Sequence, residues 1–307
     1  MQEIAFTHVT WFMNKDTIYM RACNQVVGFR AMSEQFMHRL VIDGKSKATH
    51  ENYLRQMAKL ALYFDAVPLD LELAELEEYL YRLIESDSES QSSFKHLVYG
   101  LRKLYQLFDK PTLELQLPSM SKPTKLPVVL SGQEVKVLLH AFERIVYKVM
   151  FGLIYDTGLR ISELVNLRLS DVDLERRMLH VKQSKNQKDR YLPISSHGIR
   201  GIQKHLALNG PKDYLFESPT RKGMPISKTL IRRKLQDAVQ VARINKQVCV
   251  HTLRHTYATH QLEAGQDIMT LKSLLGHAHV NTTLMYLHTA RLDTVNKFGC
   301  LQVLYGE

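Results

Sequence analysis

Cysteine, tryptophan and long apolar runs are all scarce in this chain of 307 residues. The three cysteines, Cys23, Cys249 and Cys300, are odd in number and far apart. They argue against a disulfide framework and fit a reducing compartment. No apolar stretch approaches the ~18 residues needed to span a bilayer, so no membrane partner is expected. The first ten residues carry Glu3 and no basic cluster, and are not expected to act as a secretory signal. There is no internal repeat and no long low-complexity tract. What is present is an ordinary apolar share of 45% with 23% charged residues, the balance of a folded chain. At about 150 residues per domain, the length points to two domains.

Charge is unevenly spread. Lys and Arg number 41 against 31 Asp and Glu, a net of +10. Residues 1–120 hold 13 basic and 16 acidic residues, whereas residues 121–307 hold 28 and 15. The basic character therefore belongs to the C-terminal part, and it favours a polyanionic partner. Between the parts, Pro118, Pro123 and Pro127 fall within ten residues. Such a stretch cannot lie inside a helix and favours extended chain, so 118–127 is expected to be a linker. The expected organisation is an N-terminal extension over 1–27, a helical core over 28–117, the linker, and a second domain over 128–307.

Apolar spacing predicts helices over 33–42, 47–64, 72–84 and 93–108, enough for a small bundle. Beyond the linker, Ser131 is placed to cap a helix over 132–142. A longer helix over 144–157 is closed by Gly158, and a short one follows over 160–167. Residues 178–182 and 190–194 read as strands of a hairpin whose tip, 184–189, is polar and charged. Further helices are expected over 197–208, 227–243, 252–263, 267–275 and 281–289. The fold class is mainly α, with a small antiparallel sheet in the second domain.

Three segments could carry chemistry. In Thr157-Gly158-Leu159-Arg160-Ile161-Ser162-Glu163, an arginine follows a helix stop and has a carboxylate three residues on. In His251-Thr252-Leu253-Arg254-His255, two histidines and an arginine share one helix face. In Leu275-Gly276-His277, a histidine follows a glycine stop, and Tyr286 lies nine residues further on. Two guanidiniums can clamp the non-bridging oxygens of a phosphodiester and stay charged at physiological pH. A tyrosine can be a covalent nucleophile once its proton, ordinarily held to pH ~10, is removed. A lysine on a hairpin tip can protonate the leaving oxygen. Two blander readings stand beside these. Arg160 and Glu163 could form a structural ion pair. His251, His255 and His260, with His277 or His279, could ligate zinc, although Arg254 between two of them and the lack of nearby acidic ligands weigh against it. Cys249 is expected to be buried.

Together, in this order and spacing, these residues resemble the tyrosine recombinase family, also called phage-type integrases. The resemblance covers roughly 128–290 by motif, and the helical part before it by pattern. It implies an N-terminal DNA-binding core and a catalytic domain with a C-terminal tail. It implies that Arg160, Arg254 and His277 hold the scissile phosphate with His251 assisting, that Tyr286 attacks phosphorus, and that Glu163 accompanies the first arginine; His255 is expected to support the site from behind or to pack. In the family the catalytic lysine usually lies between two glycines. Here the segment is Ser184-Lys185-Asn186, and the downstream residues 188–194 select Lys185, with Lys182 and Lys188 left open. The implied chemistry gives a 3′-phosphotyrosyl enzyme and a free 5′-hydroxyl, with no cofactor and no metal.

The implied partners are duplex DNA bearing specific recombination sites, a homotetramer on two duplexes, and accessory proteins. The implied location is the cytoplasm, at the nucleoid. Lys45, Lys47, Arg55, Lys188, Arg190, Arg232 and Arg233 are the expected phosphate contacts. The apolar tail from Leu292 to Tyr305 is expected to dock on a neighbouring protomer. The element served, mobile or chromosomal, is not written in the motifs. Two other classes share the signature: a topoisomerase-like enzyme with the same chemistry, and a DNA-binding module that has lost catalysis.

Overall fold

The computed structural model describes residues 17–86, 91–110, 126–182 and 189–290. The chain divides into two compact units that meet between Lys122 and Pro123. The expected linker, apart from Leu126 and Pro127, lies outside the described residues, as do Lys185, Lys188 and the tail beyond residue 290.

The first unit is helical: α1 (Ile18–Gln25), α2 (Phe29–Ile42), α3 (Lys47–Phe64), α4 (Leu73–Glu85) and α5 (Gln91–Leu107). Helix α3 lies against both α1 and α5. Its buried face, Leu54, Met57, Ala58 and Ala61, is shared with Phe29, Phe36 and Leu40 of α2. The core begins ahead of the expected boundary at residue 28. Tyr19, Ala22 and Val26 are buried with α2 and α3, so residues 18–27 are part of the bundle rather than an extension. The reason is local. Thr17 caps α1 by accepting from the Met20 amide, and Gly28, at φ 83°, makes the left-handed corner that turns the chain into α2. Helix α2 consequently starts at Phe29, four residues before the expected onset.

The second unit contains α6 (Gly132–His140), α7 (Ile145–Thr157), α8 (Ile161–Asn166), a 3₁₀ turn (Leu169–Asp171), β1 (Val172–Asp173), β2 (Met178–Val181), β3 (Arg190–Pro193), α9 (Ser196–Asn209), α10 (Lys228–Val241), α11 (Val250–Glu263), α12 (Ile268–Leu275) and α13 (Asn281–Leu284). Helix α7 is apolar nearly all round and forms the centre, packed between α9 and α11. The sheet is antiparallel in the order β1-β2-β3, with Leu179 opposite Leu192 and Val181 opposite Arg190. Leu179, Val181 and Leu192 all face the core.

Two expectations change. Helix α13 stops at Leu284 instead of running to 289, because the chain tightens to three-residue bonds (Tyr286 amide to the Thr283 carbonyl, Leu287 amide to the Leu284 carbonyl). This turns Tyr286 inward, onto Tyr257, Leu271 and Leu275. Cys249 is exposed rather than buried, since it precedes the first turn of α11. Among the described residues, no helix is long and apolar enough to cross a membrane.

Candidate active site

Helix ends position Arg160 and His277, helix α11 carries His251, Arg254 and His255, and the turn after α13 carries Tyr286. Helix α7 ends at Gly158 in the left-handed conformation, φ 68°, and its amide bonds to the Ile154 carbonyl. Two residues later Arg160 precedes α8, with its backbone amide donating to Glu163 Oε2 at 2.8 Å. The Arg160 guanidinium donates to Glu163 Oε1 at 2.8 Å and to the Gly276 carbonyl at 3.1 Å. The ion pair weighed from sequence is therefore present, but it stands beside the other motif residues rather than apart from them.

Arg254, on α11, is among the most deeply buried side chains of the molecule. Its Nη1 donates to the Gly158 carbonyl and its Nη2 to the Leu275 carbonyl at 2.7 Å. Nη2 also faces His277 Nε2 at 3.0 Å. Among the described residues, the buried Nε of Arg254 has no hydrogen-bond partner. Burial draws the guanidinium down to about 10, so it remains charged at neutral pH.

The C-terminus of α12 organises this cluster. Gly276 closes the helix at φ 61°. The last carbonyls of a helix have no partner within it and carry its negative pole. Here three consecutive ones are each taken by a different arginine: Leu274 by Arg190 Nε at 2.8 Å, Leu275 by Arg254, and Gly276 by Arg160. The turn also aims His277 at the site, where its Nδ1 meets Thr283 Oγ1 at 2.8 Å.

Tyr286 is 1% exposed. Its hydroxyl lies 3.1 Å from His255 Nδ1, and its ring lies nearly parallel to that of His277, 6.3 Å away. Burial raises the Tyr286 hydroxyl above its ordinary value, while Arg254 and Arg160 pull it down. His255 is lowered to about 4, first by burial and then by His251 and Arg254. His277 is also lowered to about 4, by burial and then chiefly by Arg254 and Arg160. His251 is more exposed, packs edge-on against His255 at 4.4 Å, and is lowered in the same direction by burial and then Arg254.

The structure thus brings together Arg160, Glu163, His251, Arg254, His255, His277 and Tyr286. Lys182, the one hairpin candidate among the described residues, holds Asp171 at 2.5 Å. Lys45, Lys47, Arg55, Arg232 and Arg233 are exposed, as phosphate contacts must be. Arg190 corrects the sequence reading. Its side chain is only 9% exposed and turned inward onto Glu163, not outward. It shares a strand face with buried Leu192, and that alternation was its signal. Thr283, fully buried beside His277, was missed altogether. Among the described residues, no three His, Cys, Asp or Glu side chains gather as a metal site.

Comparison with known proteins places these motifs in context. Residues 128–292 match the phage integrase family, and residues 32–114 match the N-terminal SAM-like domain of phage integrases. A putative integrase/recombinase, y4qK, of Sinorhizobium fredii is 34% identical over 248 residues, covering 79% of each chain. Tyrosine recombinase XerD of Pseudomonas aeruginosa is 32% identical over 282 residues, covering 84% of this chain and 92% of that protein. The crystal structure of XerA recombinase aligns with a TM-score of 0.51 at 28% identity, covering 85% of this chain and 94% of that one. A lambda integrase dimer bound to a core site shares the fold, with a TM-score of 0.69 at 18% identity over 84% of this chain and 94% of that one.

Proposed function

The chain belongs to the phage integrase family of tyrosine recombinases, and from that premise we propose that it cuts and rejoins duplex DNA at specific sites through a covalent tyrosyl intermediate. The observation that carries the reading is the gathering of two guanidiniums, an imidazole and a phenol at one helix end: Arg160 on the Gly276 carbonyl, Arg254 on the Leu275 carbonyl and 3.0 Å from His277, and the Tyr286 ring nearly parallel to that of His277. The scissile phosphate sits against this cationic group. Arg160 and Arg254 stabilise the charge that grows on the non-bridging oxygens, with His277 and His251 at its edge.

The Tyr286 oxygen forms a bond to phosphorus as the bond to the 5′-oxygen breaks. The phenolic proton leaves toward the histidine side of the pocket, and Lys185 supplies a proton to the 5′-oxygen. A 5′-hydroxyl from a partner strand then attacks the phosphotyrosine, releases Tyr286 and joins new DNA. Because the phosphodiester energy is kept in the tyrosyl bond, the cycle is self-contained. The assembly is a homotetramer on two duplexes, with the tail from Leu292 to Tyr305 docking on a neighbour and with accessory proteins among its partners. Lys45, Lys47, Arg55, Lys188, Arg232 and Arg233 meet backbone phosphates, each neutralised phosphate adding about 0.9 to the salt slope of binding.

The test is a duplex nicked close to the cleavage point, so that the released fragment diffuses away. The wild-type chain is expected to form a covalent adduct with it and Tyr286→Phe none. A wild-type chain that binds the duplex without ever forming an adduct would refute the reading in favour of a DNA-binding module.

A further inference from the structure

The arginine that the sequence assigned to a phosphate, Arg190, occupies a different place. It leaves the base of the hairpin on β3 and meets Glu163 with both terminal nitrogens, Nη1 to Oε1 at 3.1 Å and Nη2 to Oε2 at 2.8 Å. Its third nitrogen is spent on the Leu274 carbonyl. Glu163 is itself buried, with a side chain 10% exposed, and also holds the amide and the guanidinium of Arg160. One carboxylate is therefore shared by two guanidiniums.

We infer that Arg190 is a positioning residue for strand cleavage: by taking up the charge of Glu163 it leaves Arg160 its positive charge for the phosphate, and by seating on Leu274 it ties the hairpin to the turn that aims His277. The inference rests on the recombinase reading above.

The physical argument is a charge balance in a small volume. A buried carboxylate facing Arg160 alone would form a closed pair, its attraction spent before any substrate arrived. With Arg190 added, the three groups carry a net positive charge, and Arg160 is held in place without being neutralised. Glu163 stays below the ordinary carboxylate range although burial pushes it up, and Arg190 lowers it more than Arg160 does. The fork of an arginine is needed, since only a planar guanidinium reaches both carboxylate oxygens and a carbonyl at once. Along the chain, Arg190 stands two residues from Lys188 and five from Lys185, the proposed acid.

The experiment is a double-mutant cycle on the full chain, read by the rate of covalent adduct formation on the nicked duplex and by DNA affinity at several salt concentrations. In the wild-type background, Arg190→Met is expected to slow adduct formation ~10²-fold, with DNA affinity and its salt slope unchanged. In the Glu163→Gln background, where no carboxylate remains to balance, the same change is expected to cost at most about tenfold. Arg190→Lys, which keeps the charge but loses the fork, is expected to fall between wild type and Arg190→Met. Thermal melting accompanies each variant. If Arg190→Met does not fold, the comparison of Glu163→Gln with Glu163→Gln/Arg190→Met decides, and a loss there as large as ~10²-fold overturns the proposal. A salt slope reduced by about one would make Arg190 a phosphate contact and also overturn it. Equal rates for wild type and Arg190→Met would sink this inference while leaving the recombinase reading intact. A wild-type chain that forms no adduct would remove both.

Discussion

Arg254 faces His277 with Nη2 3.0 Å from the ring Nε2. A guanidinium can only donate, so His277 Nε2 accepts, the ring is neutral, and its proton sits on Nδ1, directed at Thr283 Oγ1. The contact predicts a pH dependence of stability. His277 and His255 are both lowered to about 4 from an ordinary 6.5. At pH values between these limits the unfolded chain binds more protons than the native one. Their contribution is therefore intact above pH 6.5 and is lost as pH falls toward 4. The melting temperature should drop across that interval, and drop less steeply in His277→Asn. Melting curves between pH 7 and 4.5 measure this, and parallel curves for the two proteins would contradict it.

His255 Nδ1 lies 3.1 Å from the Tyr286 hydroxyl. Replacing His255 by leucine removes this hydrogen-bonding partner without adding bulk, and adduct formation is expected to slow by more than ~10-fold at unchanged DNA affinity. His255→Gln, which restores a hydrogen-bonding group, should recover part of the loss. Single-turnover rates on the nicked duplex report this. Identical rates for wild type and His255→Leu would reduce His255 to packing.

Gly158 is the hinge between α7 and Arg160, and its carbonyl holds Arg254. A Cβ there would lie 2.5 Å from Tyr257 Cδ1. Gly158→Ala should cost ~1–2 kcal/mol for the left-handed backbone and a further ~1–3 kcal/mol for the clash. It should also depress cleavage, because both guanidiniums are referenced to this turn. Denaturant unfolding together with adduct assays tests the pairing. A variant as stable and active as wild type would show that the turn has freedom the structure denies it.

Lys182 is committed to Asp171, a buried carboxylate that caps the turn ahead of β1. Lys182→Ala should leave cleavage within a few-fold of wild type, whereas Lys185→Ala should lower it ~10²-fold or more. A substrate with a 5′-bridging sulfur, whose leaving thiolate needs no proton, should rescue Lys185→Ala. Rescue of Lys182→Ala instead would transfer the acid role to that residue.

Legibility from sequence followed distance along the chain. Arg160 with Glu163, and His251 with Arg254 and His255, stand within a turn of one another next to glycine or capping signals, so both identity and face could be read. The neighbours of His277 and Tyr286 could not. Thr283 gains its meaning only when α13 breaks after Leu284, and helix periodicity carried the pattern straight past that point. Arg190 meets Glu163 across 27 residues, a contact set by strand register and not by local composition. The opening helix Ile18–Gln25 was obscured because its eight residues bury only Tyr19 and Ala22. The backbone carbonyls of 274–276 have no side-chain signature at all.

Those three carbonyls carry a consequence for how the enzyme tolerates change. These seats are main-chain oxygens, so a side-chain replacement at Leu274 or Leu275 removes none of them directly. A tilt of the short segment that bears them has the opposite character. It would unseat all three cations in one movement, so any event that rocks that segment would switch cutting off as a whole rather than weaken it by degrees.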